Sequence, residues 1–324
     1  MFEQKIEIIS RPNLKMSSNK KFVYDCFMFF NEFDILDLRL NILDSVVDVF
    51  VLVESSVTSK GELKDLFYKT NRNRYAKFEN KIIHIVYNPF ERYPGGDFSC
   101  SKWFFENTQR DAIMLGLEHC RDDDVVLISD VDEIPDPQAI LMYKDVEGVK
   151  VFQQQLMYYY VNLACWTNPS WPGTRMGNYA DLLDPKQDLY PKEYFAFSSK
   201  GKPTYFRFCQ GLNIYEAGWH FSYCGGYESI RVKKRAIVDG YDHSGDLSEK
   251  DIGKIIRKCR DIHGRNIFFK IVSPNLLPQY LIDNEDKYRS IILRLNFIDY
   301  FFYLCNHFQN IIVFYAKKIY IKFI

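Results

Sequence analysis

Four apolar runs rich in β-branched and aromatic residues recur through the first 130 positions, separated by polar or helix-periodic segments. They are 22–30 (FVYDCFMFF), 46–53 (VVDVFVLV), 81–87 (KIIHIVY) and 124–129 (DVVLIS). After the first, Leu36, Leu40 and Leu43 return at helical spacing, which predicts a helix over 32–45 with Asn31 as its N-cap. A second helix is expected over 103–117, with Phe105, Ala112 and Leu115 on one side. Alternation of this kind predicts an α/β fold: a mostly parallel sheet with helices on both faces.

The rest of the chain is less regular. The pattern predicts strands at 153–161, 205–209 and 215–223, a loop-like stretch over 166–188, and helices over 248–260 and 280–295. The simplest division is an extension over 1–20, a main domain over 21–280 and a helical extension over 281–324. From Phe297 onward the chain is rich in Phe, Tyr and Ile and ends with Lys317, Lys318 and Lys322. This is the pattern of a helix docked on the protein, with peripheral membrane contact as the other use of such a segment. No run of about eighteen apolar residues and no basic-plus-apolar leader occurs, so neither a membrane span nor a signal peptide is expected. The expected location is cytoplasmic or peripheral to a membrane. None of the eight cysteines forms a C-x-x-C pair, which argues against structural zinc and suits a reducing compartment. Lys plus Arg and Asp plus Glu number 42 each, a balance that argues against a nucleic-acid binder.

The chemistry concentrates where the fourth run ends, at Asp130-Val131-Asp132-Glu133-Ile134-Pro135. Ligands of open α/β sheets bind outside the carboxyl ends of the strands, so these carboxylates stand where a site is expected. On an extended chain Asp130 and Asp132 would point to one side and reach one divalent cation, magnesium or manganese, directly or through its waters. A capping turn after a strand is the other reading of the same residues. Asn31 and Glu32 end the first run where a helix opens, a place suited to phosphate. Glu54 ends the second, where it could meet ribose hydroxyls or act as a satisfied turn acid. Arg110 lies in the helix before the Asp130 strand, within reach of a bound nucleotide.

These pieces, YDCFMFFNEFDILDLRLNIL, VVDVFVLVES, KFENKIIHIV, QRDAIMLGL and DDDVVLISDVDEIP, resemble glycosyltransferase family 17 in order and spacing. This is the family of the animal enzyme that adds the bisecting N-acetylglucosamine to N-glycans. A later block, AGWHFSYCGG at 217–226, resembles the family's second signature, and weaker similarity continues through Gly245-Asp246 and LPQYLIDNEDKY. The resemblance implies a GT-A fold and inverting, β-linked transfer from a UDP-sugar, UDP-N-acetylglucosamine first, to an oligosaccharide or glycoprotein acceptor. It implies that Asp130 and Asp132 hold the metal with His220, and that Asn31, Glu32, Glu54 and Arg110 serve the donor. The sequence departs from the family at SSVTSKGELK (55–64), and a Golgi anchor like that of the animal enzymes is not expected.

An inverting transferase needs a carboxylate to take the acceptor proton. Asp246 is the first candidate, with Glu133 and Asp181 as the others. Two further function classes share the motif. A haloacid-dehalogenase-type phosphotransferase would use Asp130 as nucleophile, but that class carries its Asp-x-Asp on the first strand. A catalytically silent glycan-binding protein would keep the fold without the reaction.

Overall fold

In the computed structural model the described residues are 7–10, 20–93, 95, 98, 103–184, 203–236 and 248–322. The apolar runs become parallel strands: β2 (Val23–Phe29), β3 (Val49–Ser55), β4 (Ile82–Tyr87) and β5 (Val125–Asp130), preceded by β1 (Glu7–Ser10). β2 is the hinge of the arrangement, since it pairs in parallel with β3 on one side and with β5 on the other. β4 pairs in parallel with β3, so the order is β4-β3-β2-β5. Strand order therefore reverses between β2 and β5, and such a switch point opens a crevice at the carboxyl ends of the two strands. Met28 faces Asp130 across that pair.

These strands are buried on both faces, which explains their continuous apolar character. Cys26, Val51, Val53, Ile85, Val126 and Ile128 share a core with Ala112 and Ile113 from the short 3-10 segment Ala112–Gly116. On the other face Phe27 lies under Arg39 of the helix Phe33–Leu43, and Phe29 meets Tyr68 edge-on. Glu32, rather than Asn31, is that helix's N-cap residue.

Among the described residues the sheet is mixed rather than mostly parallel. β1 is antiparallel to β4, and β9 (Ser170–Asn178) is antiparallel to β5. Further strands are β6 (Glu133–Pro135), β7 (Lys150–Tyr158), β8 (Leu163–Cys165), β10 (Leu212–Ile214), β11 (Gly218–Ser222) and β12 (Phe269–Ile271). The loop expected over 166–188 thus contains β9 and the helix Tyr179–Leu183. Its glycine signal has a packing cause: a Cβ on Gly177 would come within 3.0 Å of both Phe206 and Asp181. The strand expected at 205–209 is instead the helix Pro203–Phe208, opened by a proline whose fixed φ suits a first turn. The helix expected over 280–295 is reduced to Gln279–Asp283 and the 3-10 turn Arg289–Ile291.

The chain divides into two compact units. One comprises Met1–Gln154, Pro172–Trp219 and Ala236–Val238; the other comprises Gln155–Trp171, His220–Arg235 and Asp239–Ile324. The second unit has its own core, in which Tyr158 stacks on Phe269 and touches Tyr159 and Tyr223, with β8 antiparallel to β12. Among the described residues no helix is long and apolar enough to cross a membrane.

Within the first unit, Gly218 has φ +129°, and a Cβ there would lie 2.3 Å from the carbonyl oxygen of Ile134 and 2.8 Å from the amide nitrogen of Asp136. Both neighbours are backbone of the segment that follows the acidic turn. Gly218→Ala is therefore expected to destabilise the protein by about 1–3 kcal/mol through overpacking, with added backbone strain. Urea denaturation measures this, and an unchanged midpoint would show that the segment can move aside.

Candidate functional site

The acidic turn is shaped from beneath by one buried guanidinium. Arg39 is the only charged residue on the inner side of its helix and is fully buried, as is Asp25 in β2. Its Nε donates to Asp25 Oδ2 at 2.8 Å, and Nη2 reaches Asp25 Oδ1 and Ser129 Oγ. Its Nη1 donates to the carbonyls of Asp130, Val131 and Glu133 at 3.0, 3.2 and 3.0 Å. Three carbonyls converging on one nitrogen cannot belong to an extended chain. β5 accordingly ends at Asp130, and Val131-Asp132 form a turn before β6. The extended geometry expected for Asp130 and Asp132 does not hold.

A second arginine braces the far side of the turn. Arg207 pairs with Glu133 Oε1 through Nη2 and donates from Nη1 to the Gly173 carbonyl at 2.9 Å. The other Glu133 oxygen accepts from the Asp130 amide at 3.1 Å. Glu133 is buried and committed to this brace, an arrangement that suits a structural acid better than an exposed base.

Arg110 completes the set. It is buried, and its Nη2 donates to Asp130 Oδ1 at 3.1 Å and to Glu106 Oε1 at 3.0 Å. Its Nε and Nη1 have no hydrogen-bond partner among the described residues. Burial opposes the charge of Arg110, but Asp130 and Glu106 outweigh it and raise its pKa. The pKa of Glu106 is raised too, by burial first and by Asp130 in addition, with Arg110 opposing. Asp25 neutralises Arg39, while Arg110 pairs with Glu106 and Asp130 and Arg207 pairs with Glu133. Among the described residues no group of three or more His, Cys, Asp or Glu is placed to hold a metal. Ions of the magnesium type are commonly held by one or two protein carboxylates plus substrate phosphates, and Asp130 and Asp132 are the carboxylates of the turn that could serve such an ion.

Comparison with known proteins turns this geometry into a lineage. The model of glycosyltransferase family 17 matches residues 7–175, more than half of the chain and all of β1 through β8. The chain belongs to glycosyltransferase family 17. Its curated relatives include the beta-1,4-mannosyl-glycoprotein 4-beta-N-acetylglucosaminyltransferase of Rattus norvegicus, 25% identical over 291 residues, covering 81% of this chain and 53% of the relative. The proteins of the same name from Mus musculus and Homo sapiens are each 24% identical over the same length and coverage. The chain spans about half the length of these curated relatives.

Within the family match, the other expected donor residues have local partners. Glu54 is fully buried and accepts from the amides of Tyr68 (2.7 Å) and Lys69 (3.1 Å), with His84 Nε2 at 3.3 Å. That is the turn-acid role that its position also allowed. Glu32 accepts from the amides of Phe30 and Asn31, which shapes the entry to the helix, and Asn31 is half-buried beside it. Asp181 lies outside the match and caps the helix Tyr179–Leu183 by accepting from the Asn178 amide at 2.9 Å. His220 is in the second unit, its ring 4.7 Å from that of Trp171. Asp246 lies outside the described residues.

Arg39, Arg207 and Glu106 were not foreseen from sequence. Arg39 did carry a signal: one basic residue inside an apolar helical stripe, and one acid, Asp25, inside an apolar strand. Two such misfits must neutralise each other if both elements are buried. Arg207 sat in a segment read as a strand, and Glu106 lay unremarked in the helix expected over 103–117.

Proposed function

We propose that this protein is a glycosyltransferase that moves a sugar, N-acetylglucosamine first, from a UDP-sugar to a glycan acceptor with inversion, on a GT-A-like scaffold. The observation that carries the reading is Arg110. A buried guanidinium whose Nε and Nη1 have no partner among the described residues, beside Asp130 at the switch point of the sheet, is a setting that favours an anion. Buried charged donors left without partners are costly, so such a site favours a ligand rich in acceptor oxygens. A nucleotide diphosphate is that ligand.

Asp130 and Asp132 would hold manganese or magnesium, which when bound offsets the charge developing on the departing diphosphate. Arg110 binds and orients the phosphates, and its pair with Asp130 keeps that carboxylate turned toward them. Arg39 and Arg207 hold the turn rigid, so its carboxylates need no reorganisation when charge develops. Glu133 and Asp181 are occupied as brace and cap, which leaves Asp246 as the proposed base for the acceptor hydroxyl.

The test is UDP release from UDP-N-acetylglucosamine with manganese, with and without oligomannose or complex glycan acceptors. Arg110→Gln is expected to lower the rate by about 10²–10³, the effect of losing one preorganised charge-stabilising donor. Calorimetry that detects no binding of any UDP-sugar by the intact protein would overturn the reading. Glycan binding without UDP release would assign it to the silent binding class.

A further inference from the structure

The helix Phe297–Lys322 packs on its own unit by its polar side. Asn310 is buried, with its Nδ2 donating to the Lys258 carbonyl at 2.8 Å and its Oδ1 accepting from Arg260 Nε at 3.2 Å. Asn306 Nδ2 donates to the Arg257 carbonyl at 3.3 Å, and the hydroxyl of the mostly buried Tyr303 accepts from the Ile271 amide at 2.9 Å. His307 stacks on Tyr303 and meets Trp166 edge-on. At about 100° per residue these four positions share one side of the helix.

The opposite side is apolar and open. Phe297, Phe301, Leu304, Phe308, Ile312 and Tyr315 follow one another at steps of four, three, four, four and three, and all are between 45% and 87% exposed. Ile298 and Phe302 widen the stripe and are equally open. A surface helix normally buries its apolar face and leaves its polar face in water. Here the arrangement is inverted, so the helix is built to meet something apolar outside the chain.

We propose that this face seats the protein on an anionic lipid surface, with the helix lying in the headgroup plane. Two features select lipid over a second copy of the chain. The open arc, from Leu304 round to Phe302, covers nearly half of the helix circumference, wider than the two-position seam of a helix pair. From Tyr300 to Lys322 the sequence has no acidic residue and three lysines, a net positive charge that complements anionic headgroups. Phe and Tyr dominate the face, as suits the interfacial region. The proposal is independent of the glycosyltransferase reading.

Cys305 is exposed on this same side and supplies a probe. The full chain, labelled at Cys305 with an environment-sensitive fluorophore and controlled by Cys305→Ser, is mixed with vesicles. The expected result is co-flotation and a blue-shifted emission with phosphatidylcholine vesicles containing phosphatidylglycerol. Affinity should be about a hundredfold above that for pure phosphatidylcholine at low salt, the contribution of three lysines near a charged surface. The double variant Phe301→Glu, Phe308→Glu should lose binding while keeping its circular dichroism and melting temperature, since both residues are exposed. Absence of flotation with unchanged emission would overturn the proposal. So would a lipid-free dimer in sedimentation velocity that the double variant abolishes, because the face would then belong to a second copy.

Discussion

Arg39→Ala is expected to lower the unfolding free energy by about 3–5 kcal/mol, because it leaves the Asp25 carboxylate buried without its counter-charge. Both side chains are fully buried, so water cannot take over. The loss reaches further than the pair, since Ser129 Oγ and the carbonyls of Asp130, Val131 and Glu133 all lose their common donor. Urea denaturation followed by circular dichroism measures the stability change, and a loss below about 1 kcal/mol would contradict a buried, uncompensated Asp25. A companion variant separates stability from positioning. Replacing both partners, Asp25→Leu with Arg39→Met, removes the charges together and is expected to recover much of the stability. It restores no donor to the turn, so UDP release should stay low even where the fold has recovered. Recovery of stability and activity together would show that the turn holds its shape without Arg39.

Asp132→Asn is expected to reduce UDP release by about a thousandfold. The substitution keeps the side chain's shape and removes its charge. Several kcal/mol of charge stabilisation are expected from a divalent ion at a departing diphosphate, and each 1.4 kcal/mol is a factor of ten in rate. A second readout does not depend on turnover. Manganese should raise the melting temperature of the unmodified protein in proportion to its occupancy, and Asp132→Asn should abolish that rise. Full activity of the unmodified protein in a chelator would refute the assignment of Asp132 to a metal. The two predictions are separable, because Asp132 makes no contribution to the Arg39 fork beyond sharing its turn.

Local pattern and distant partners left different marks on this chain. The four parallel strands, the helix after the first of them and the acidic segment after the last, though not its turn geometry, were legible because each is written in a contiguous stretch. An apolar run with β-branched residues, leucines at helical spacing and a proline after carboxylates all act over a few residues. Membership of glycosyltransferase family 17 was legible for the same reason, since its motifs lie in those stretches and in their order.

The direction taken by isolated polar side chains was another matter. Glu133 turns inward because Arg207, 74 positions later, meets it there. Glu54 is spent on the amides of a helix that begins after an intervening loop. Asp130 and Asp132 sit on a curled turn because a guanidinium from the helix Phe33–Leu43 gathers three carbonyls. The helix Phe297–Lys322 shows its apolar face because its asparagines found carbonyls at Arg257 and Lys258. Periodicity reports that one side of an element differs from the other; which side is covered, and whether a charge is paired, depends on groups that folding brings from far along the chain.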